Sequence, residues 1–392
     1  MFRRPWVAVC LLVGLGVLLV PQQASAQCNA AWAPNVFYGV GAKVSYSSRN
    51  YTCQQAHTSQ VGWEPPNVPA LWTDNGACSG GATPTATARP TATPTGATAT
   101  PTTRPSTTPT LPPPPTPTSP SSGFPAKVVA PYIETWANIN PVNVANATGN
   151  KYYTLAFIIS RACAPYWNGD TPMGGNSYGS YISQLRGMGG DVAISFGGAA
   201  GIELGQACTT VSSLQGAYQQ AVSAYNLKWM DLDIEGGALG DTAANDRRNK
   251  ALAAIQASTG MRISYTLPVM PEGLTGSGIS LLQNAKANGL RVDVVNVMTM
   301  DYGPAYCGDM GQYAIQAVNN THNQVVSIGL NSKIGSTPMI NTNDVGCEVF
   351  NTGDAQEVTN HANANAWMGE IAYWAVGRDG GYTFLNIFKN FR

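Results

Sequence analysis

From Lys127 to its end the chain repeats one unit: an apolar run of strand length, a polar loop, then a stretch of helical period. Strand candidates fall at 127–132, 152–160, 191–198, 228–235, 262–269, 291–301, 333–340 and 369–376. Such alternation builds a parallel sheet covered by helices, because a parallel crossover needs a connection long enough to hold a helix. Eight units over about 265 residues match a closed (β/α)8 barrel in count and size. Periodicity alone allows a doubly wound open sheet equally well.

The fourth unit carries the chemistry. Lys228-Trp229-Met230-Asp231-Leu232-Asp233-Ile234-Glu235-Gly236-Gly237 places three carboxylates at alternate positions. On a strand they share one face, neighbours roughly 6.7 Å apart, while Leu232 and Ile234 face the opposite way. A solvated edge strand would account for the acids. It does not account for Trp229, Met230, Leu232 and Ile234, which read as a buried strand, where carboxylates are unfavourable unless they have a function. Like charges this close cannot all ionise freely, so at least one pKa rises and one group shares a proton with its neighbour. That suits a general acid working near neutral pH.

This pattern resembles the Asp-x-x-Asp-x-Asp-x-Glu signature on the fourth strand of family 18 glycoside hydrolases, the chitinase family. The outermost Asp of the signature falls on Lys228 and the usual Gly after it on Trp229; the inner Asp-x-Asp-x-Glu is intact. The missing outer Asp is expected to affect support more than catalysis. The resemblance implies the barrel rather than the open sheet, with the active site at the C-terminal ends of the strands, where Glu235 falls. Ser195-Phe196-Gly197-Gly198 is similar to the family's Ser-x-Gly-Gly on strand three, whose glycines let the backbone pass under the acidic cluster. Tyr132 ends strand one, where the family places an aromatic residue against the −1 sugar. Trp374 on strand eight matches the Trp that floors that subsite. Val297-Met298-Thr299-Met300-Asp301-Tyr302 resembles the Met-x-Tyr-Asp of strand six less closely. Met300 stands where the tyrosine that holds the N-acetyl group normally lies, Asp301 matches the next polar position, and Tyr302 comes two residues late.

The resemblance makes Glu235 the acid and base, Asp233 the residue that orients the acetamide, and Asp231 the residue that holds Asp233 and trades a proton with it. Tyr132, Asp301, Tyr302 and Trp374 become substrate contacts. The implied reaction is hydrolysis of internal β-1,4 N-acetylglucosamine linkages of chitin with retention, the substrate's own acetamido oxygen acting as nucleophile. Two rivals share the barrel: an endo-β-N-acetylglucosaminidase acting on N-glycans, and a non-catalytic chitin-binding lectin. Such lectins typically lose the terminal Glu of the motif, and Glu235 is present.

The remaining segments fit an exported enzyme. Arg3 and Arg4, an apolar run from Val7 to Val20, and Ala24-Ser25-Ala26 read as a signal peptide over 1–26. No later run is long and apolar enough to span a bilayer. Balanced charge, 21 basic against 21 acidic residues, argues against a nucleic-acid partner. A secreted, extracellular monomer is expected, its partners chitin and N-acetylglucosamine oligomers.

Residues 27–78 form a small piece, too short for a large core, that calls for a disulfide. Tyr51-Thr52-Cys53-Gln54-Gln55-Ala56-His57-Thr58-Ser59 and Gly62-Trp63-Glu64-Pro65-Pro66-Asn67-Val68-Pro69-Ala70-Leu71-Trp72 look like the chitin-binding modules of families 5 and 12. Flat rings stack on pyranose faces, which makes Trp63 and Trp32 candidate binding rings and leaves Trp72 to the core. This module argues against the N-glycan rival. Residues 79–123 are almost entirely Thr, Pro, Ala, Ser and Gly and read as an extended linker. The domain of 124–392 is the barrel. Consecutive βα loops of a barrel are neighbours, so Cys163 can pair with Cys208 and Cys307 with Cys347. Cys28 and Cys78 tie the ends of the module, and Cys53 is left as the odd thiol. No Cys-x-x-Cys or histidine pair supports a metal site, and neither metal nor cofactor is expected.

Overall fold

The first strand of the repeat is what closes the sheet. A computed structural model of the chain describes residues 26–33, 36–55, 57–59, 64–66, 68, 71–79, 123–173 and 178–392. Residues 1–25 and 80–122, within the stretches the sequence reads as signal and linker, and Trp63 lie outside them. Strand β1 comes in two pieces, Val128–Val129 and Tyr132–Glu134, separated at Ala130-Pro131. The first piece pairs parallel with Met368–Ile371 (β8) and the second with Tyr152–Arg161 (β2). Between them run Asp191–Gly197 (β3), Trp229–Asp233 (β4), Arg262–Met270 (β5), Val294–Met298 (β6) and Lys333–Thr337 (β7), each parallel to the next. The sheet therefore returns on itself as a (β/α)8 barrel, and the open alternative falls away.

A helix follows each strand: Pro141–Thr148 (α1), Tyr178–Gly187 (α2), Val211–Tyr225 (α3), Thr242–Thr259 (α4), Gly276–Ala287 (α5), Met310–Ile328 (α6), Thr352–Ala364 (α7) and Thr383–Phe388 (α8). Their starts are legible in side chains. Asn140, Thr210, Asp241, Thr275, Asp309 and Asn351 each accept a backbone N–H of the first turn, which satisfies donors the helix itself cannot. The main core lies between sheet and helices. There Ile194, Phe196, Met230, Leu232, Ile263, Tyr265, Val295 and Val297 are fully buried under residues such as Leu214, Tyr218, Leu252 and Leu282.

The inward faces of the same strands are polar. Ser195, Asp231, Asp233, Ser264, Thr266, Asn296, Thr337 and Glu370 are all buried. Below them Phe124, Val128, Ala130, Ala193, Trp229 and Val294 form an apolar floor, with the Phe124 ring edge-on to Trp229 at 4.9 Å. Lys228, standing where the signature has its outer Asp, is exposed and donates to Asn226 Oδ1 at 3.0 Å.

In the module, Ala26–Gln27, Trp72–Ser79, Arg49–Cys53 and Lys43–Tyr46 pair in that order. Its core is Trp32, Tyr38, Val44, Tyr51, Cys53 and Trp72. Here one expectation is corrected. The Trp32 ring is only 9% exposed and meets Tyr46 edge-on at 5.7 Å, so it packs inward instead of offering a face to sugar. A module this small draws its few large apolar side chains inside.

The three predicted disulfides are present, Cys28–Cys78, Cys163–Cys208 and Cys307–Cys347. Cys53 stays outside them, buried, its thiol donating to the Gln55 carbonyl at 2.9 Å.

Candidate active site

Strand register assembles the site. Ser195, Asp231 and Ser264 stand side by side on β3, β4 and β5, and one step up so do Gly197, Asp233 and Thr266. Asp231 is the hub. Its Oδ2 accepts from Ser195 Oγ at 2.7 Å and Tyr132 OH at 3.0 Å; its Oδ1 accepts from Ser264 Oγ at 2.6 Å and Thr266 Oγ1 at 2.8 Å. Burial pushes the Asp231 carboxyl up, and these four hydroxyls oppose the shift by favouring the ion.

Asp233, one layer higher, has the opposite environment. It is 4% exposed and its Oδ1 meets no hydrogen-bond donor among the described residues. Burial, then the charges of Glu235 and Asp231, raise its pKa well above the usual range. A hydrogen bond between Asp233 and Glu235 adds to the rise at Asp233 and pulls the Glu235 carboxyl down. Glu235 lies just past the strand and opens the short helix Gly236–Gly240. Burial raises it to about 7, with the Asp233 hydrogen bond pulling down and the Asp301 charge pushing up. The two upper carboxylates are thus coupled, and the top one titrates near neutrality.

The backbone beneath is fitted to this column. Gly197 has φ +110°, and a Cβ there would stand 2.0 Å from the Asp233 carbonyl oxygen. Gly198 has φ +90°, and a Cβ there would lie 2.9 Å from the Phe157 ring. Behind the loop after β3, Arg248 and Glu203 form a buried ion pair at 2.6 Å. Asn245, hydrogen-bonded to Arg248, also donates to the Leu239 carbonyl at 2.9 Å and so braces the helix that follows Glu235.

On one side rises an aromatic wall. Tyr132 lies 5.7 Å from Trp374, and Trp374 stacks on Phe157 at 5.6 Å and 15°. Trp136 continues the wall, 6.4 Å from Phe157 at 29°, with 53% of its surface exposed. Sequence reasoning missed Phe157 and Trp136. Phe157 sits in an apolar run and reads as core. Trp136 lies between Thr135 and Ala137, outside every motif the sequence offers.

The loop after β6 is held from β7. Asp301, at φ +50°, accepts from Val345 N at 2.9 Å; Glu348, fully buried and raised by that burial to about 7, accepts from Gly303 N at 2.7 Å; Cys307–Cys347 closes the same junction. Tyr302 is placed differently from the sequence expectation. The left-handed turn at Asp301 redirects the chain, and the Tyr302 ring packs against Tyr306 and Tyr313 at 5.8 and 6.2 Å, 6% exposed. The structure brings together Asp231, Asp233, Glu235, Tyr132 and Trp374, with Asp301 near enough to act on Glu235. Tyr302 is not among them.

Among the described residues no group of three His, Cys, Asp or Glu is placed to hold a metal, and no helix is long and apolar enough to cross a membrane.

Comparison with known proteins agrees with this geometry. Residues 31–73 match the carbohydrate-binding module family 5/12. The chain is 37% identical over 288 residues to a probable bifunctional chitinase/lysozyme of Escherichia coli (strain K12), covering 67% of this chain and 32% of that protein. It is 36% identical over 285 residues to endochitinase 11 of Metarhizium anisopliae, covering 67% and 54%. It thus spans from a third to just over half the length of these curated relatives. The catalytic domain of a hyperthermophilic chitinase from Pyrococcus furiosus matches with 32% identity and a TM-score of 0.61, covering 68% of this chain and 97% of that domain. A family GH18 chitinase from Chromobacterium violaceum, 18% identical with a TM-score of 0.52 over 94% of this chain and all of that one, shares the fold. Fold, site and likeness define a glycoside hydrolase. The chain belongs to family 18 of that class and carries a carbohydrate-binding module of family 5/12.

Proposed function

We propose that this chain is a secreted chitinase that cuts internal β-1,4 N-acetylglucosamine linkages with retention of configuration. The observation that carries the reading is the division of labour along β4. Asp231 is saturated with donors, Asp233 keeps an unpartnered buried oxygen, and Glu235 titrates near 7. Glu235 protonates the leaving oxygen. The acetamido oxygen of the −1 sugar then attacks its own anomeric carbon, giving an oxazolinium ion whose nitrogen Asp233 steadies. Glu235, now ionised, takes a proton from the water that opens this ion. Two inversions give net retention, in the substrate-assisted variant of the retaining scheme. Tyr132 and Trp374 bound the −1 subsite and Asp301 its far side.

The endo mode rests on the short connection between β7 and β8. It holds one hairpin, Asn341–Thr342 with Val349–Phe350, and helix α7, which leaves the cleft unroofed on that side. The family 5/12 match supports chitin as the polymer, Trp63 being the module's binding ring. We read 1–26 as a signal, 27–78 as the module, 79–123 as a tether and 124–392 as a catalytic barrel that works as a monomer. Product sizes from colloidal chitin over time test the endo reading: mixed oligomers appear early, whereas a single dimer product from the start overturns it. Proton NMR of freshly cut oligomer tests the mechanism: β-anomer appears first, and predominant α-anomer rules out the oxazolinium route.

A further inference from the structure

Beneath the carboxylates a hydrogen-bonded line runs down to the barrel floor. Trp229 Nε1 donates to Ser264 Oγ at 2.8 Å, and Ser264 Oγ donates to Asp231 Oδ1 at 2.6 Å. Trp229 and Ser264 are completely buried and Asp231 is 3% exposed. The indole N–H can only donate and a hydroxyl has a single hydrogen, so Trp229 fixes which way Ser264 points. Ser264 accepts from below and gives its hydrogen to Asp231. Donation into the Ser264 oxygen also polarises its O–H and strengthens the upper bond. The ring that does this is clamped, with the Arg262 guanidinium 4.0 Å from its centroid and the Phe124 ring perpendicular to it at 4.9 Å.

We propose that Trp229 is a positioning residue for hydrolysis: through Ser264 it keeps Asp231 an ionised acceptor beneath Asp233, so the working proton stays on Asp233 and Glu235. This rests on the reading of the three carboxylates given above. The groups facing Asp231 are Tyr132 from β1, Ser195 from β3, and Ser264 and Thr266 from β5, with Asp233 on its own strand. Glu370 on β8 feels the Asp231 charge, which pushes it up, and the Arg262 charge from β5, which pulls it down. Burial raises Glu370 to about 8, so at neutral pH it is largely uncharged and does not compete with Asp231 for the ionised role.

Trp229→Phe keeps a ring for Arg262 and Phe124 and deletes only the N–H. In the full chain, labelled with 13C at the aspartate carboxyl carbon and assigned with Asp231→Asn, the Asp231 titration midpoint should rise by about half a unit to one unit. The acid limb of kcat on a soluble chitin hexamer should move up by the same amount while KM stays put. An unmoved midpoint, or a uniform loss of kcat at every pH, overturns the proposal. In a Ser264→Ala background Trp229→Phe should add no further shift; additive shifts overturn it too. If Trp229→Phe does not fold, Ser264→Ala alone must still move the midpoint. The NMR readout needs no turnover, so a wild-type protein that leaves the hexamer intact sinks the proposed function while the relay is still decided.

Discussion

Tyr132 and Asp231, 99 residues apart, meet at 3.0 Å in the centre of the barrel, phenol to carboxylate. The same phenol lies 2.9 Å from Thr266 Oγ1 and its ring 5.7 Å from Trp374, so one side chain joins the aromatic wall to the carboxylate column. Tyr132→Phe keeps the wall and removes the donor. A hydrogen bond to a charged group contributes about 1.5–3 kcal/mol, so kcat should fall about ten- to hundredfold with KM little changed. Steady-state kinetics on a soluble hexamer check this. A raised KM at constant kcat would instead place the phenol in ground-state binding.

Glu235 also ties activity to stability. Its carboxyl rises from 4.5 to about 7 on folding, so the stability linked to its proton is fully present at acid pH and is lost as pH climbs from 4.5 through 7. Hydrolysis should therefore fall off above about pH 7, where the acid has lost its proton. Glu235→Gln removes a half-buried charge and should raise stability at pH 8 by on the order of 1–3 kcal/mol, with little change at pH 4. Thermal melts at the two pH values decide it, and equal shifts at both would detach Glu235 from the effect.

The module should matter only at a surface. A chain starting at Gly123 keeps Phe124 in the floor and is expected to cleave soluble hexamer at near the full-length rate. On crystalline chitin it should be slower, because the module supplies effective concentration and not chemistry. Trp63→Ala in the full chain should reproduce much of that defect. Paired rates on both substrates test the division, and an equal loss on both would make the module part of the catalytic fold.

Much of this architecture is legible in the sequence because it follows from period and register. Eight apolar runs fix the strand count, and alternate acids fix which face of β4 looks inward. Strand ends are less legible. The run 228–235 shrinks to Trp229–Asp233, and 291–301 to Val294–Met298, because the ladder stops where the chain turns out to build the mouth. The Ser195-Phe196-Gly197-Gly198 motif is readable, since only glycine tolerates φ +110° against the Asp233 carbonyl. What cannot be read is contact between distant strands. Nothing in the sequence says that Trp229 reaches Ser264, that Phe157 stacks on Trp374, or that the turn at Asp301 carries Tyr302 into the tyrosine cluster. Trp32 misleads for the same reason, since a ring for sugar and a ring for core look alike until their neighbours are known.

Everything depends on Glu235 delivering a proton, and the direct test is turnover by Glu235→Gln. The amide keeps the shape and removes the transferable proton, and loss of a general acid is commonly worth a factor of about 10² to 10⁴. Hydrolysis of a chitin hexamer, followed by chromatography of the products, should fall by at least about a hundredfold, while hexamer binding measured by calorimetry stays largely intact. A Glu235→Gln protein that keeps about a tenth or more of wild-type turnover would contradict the assignment.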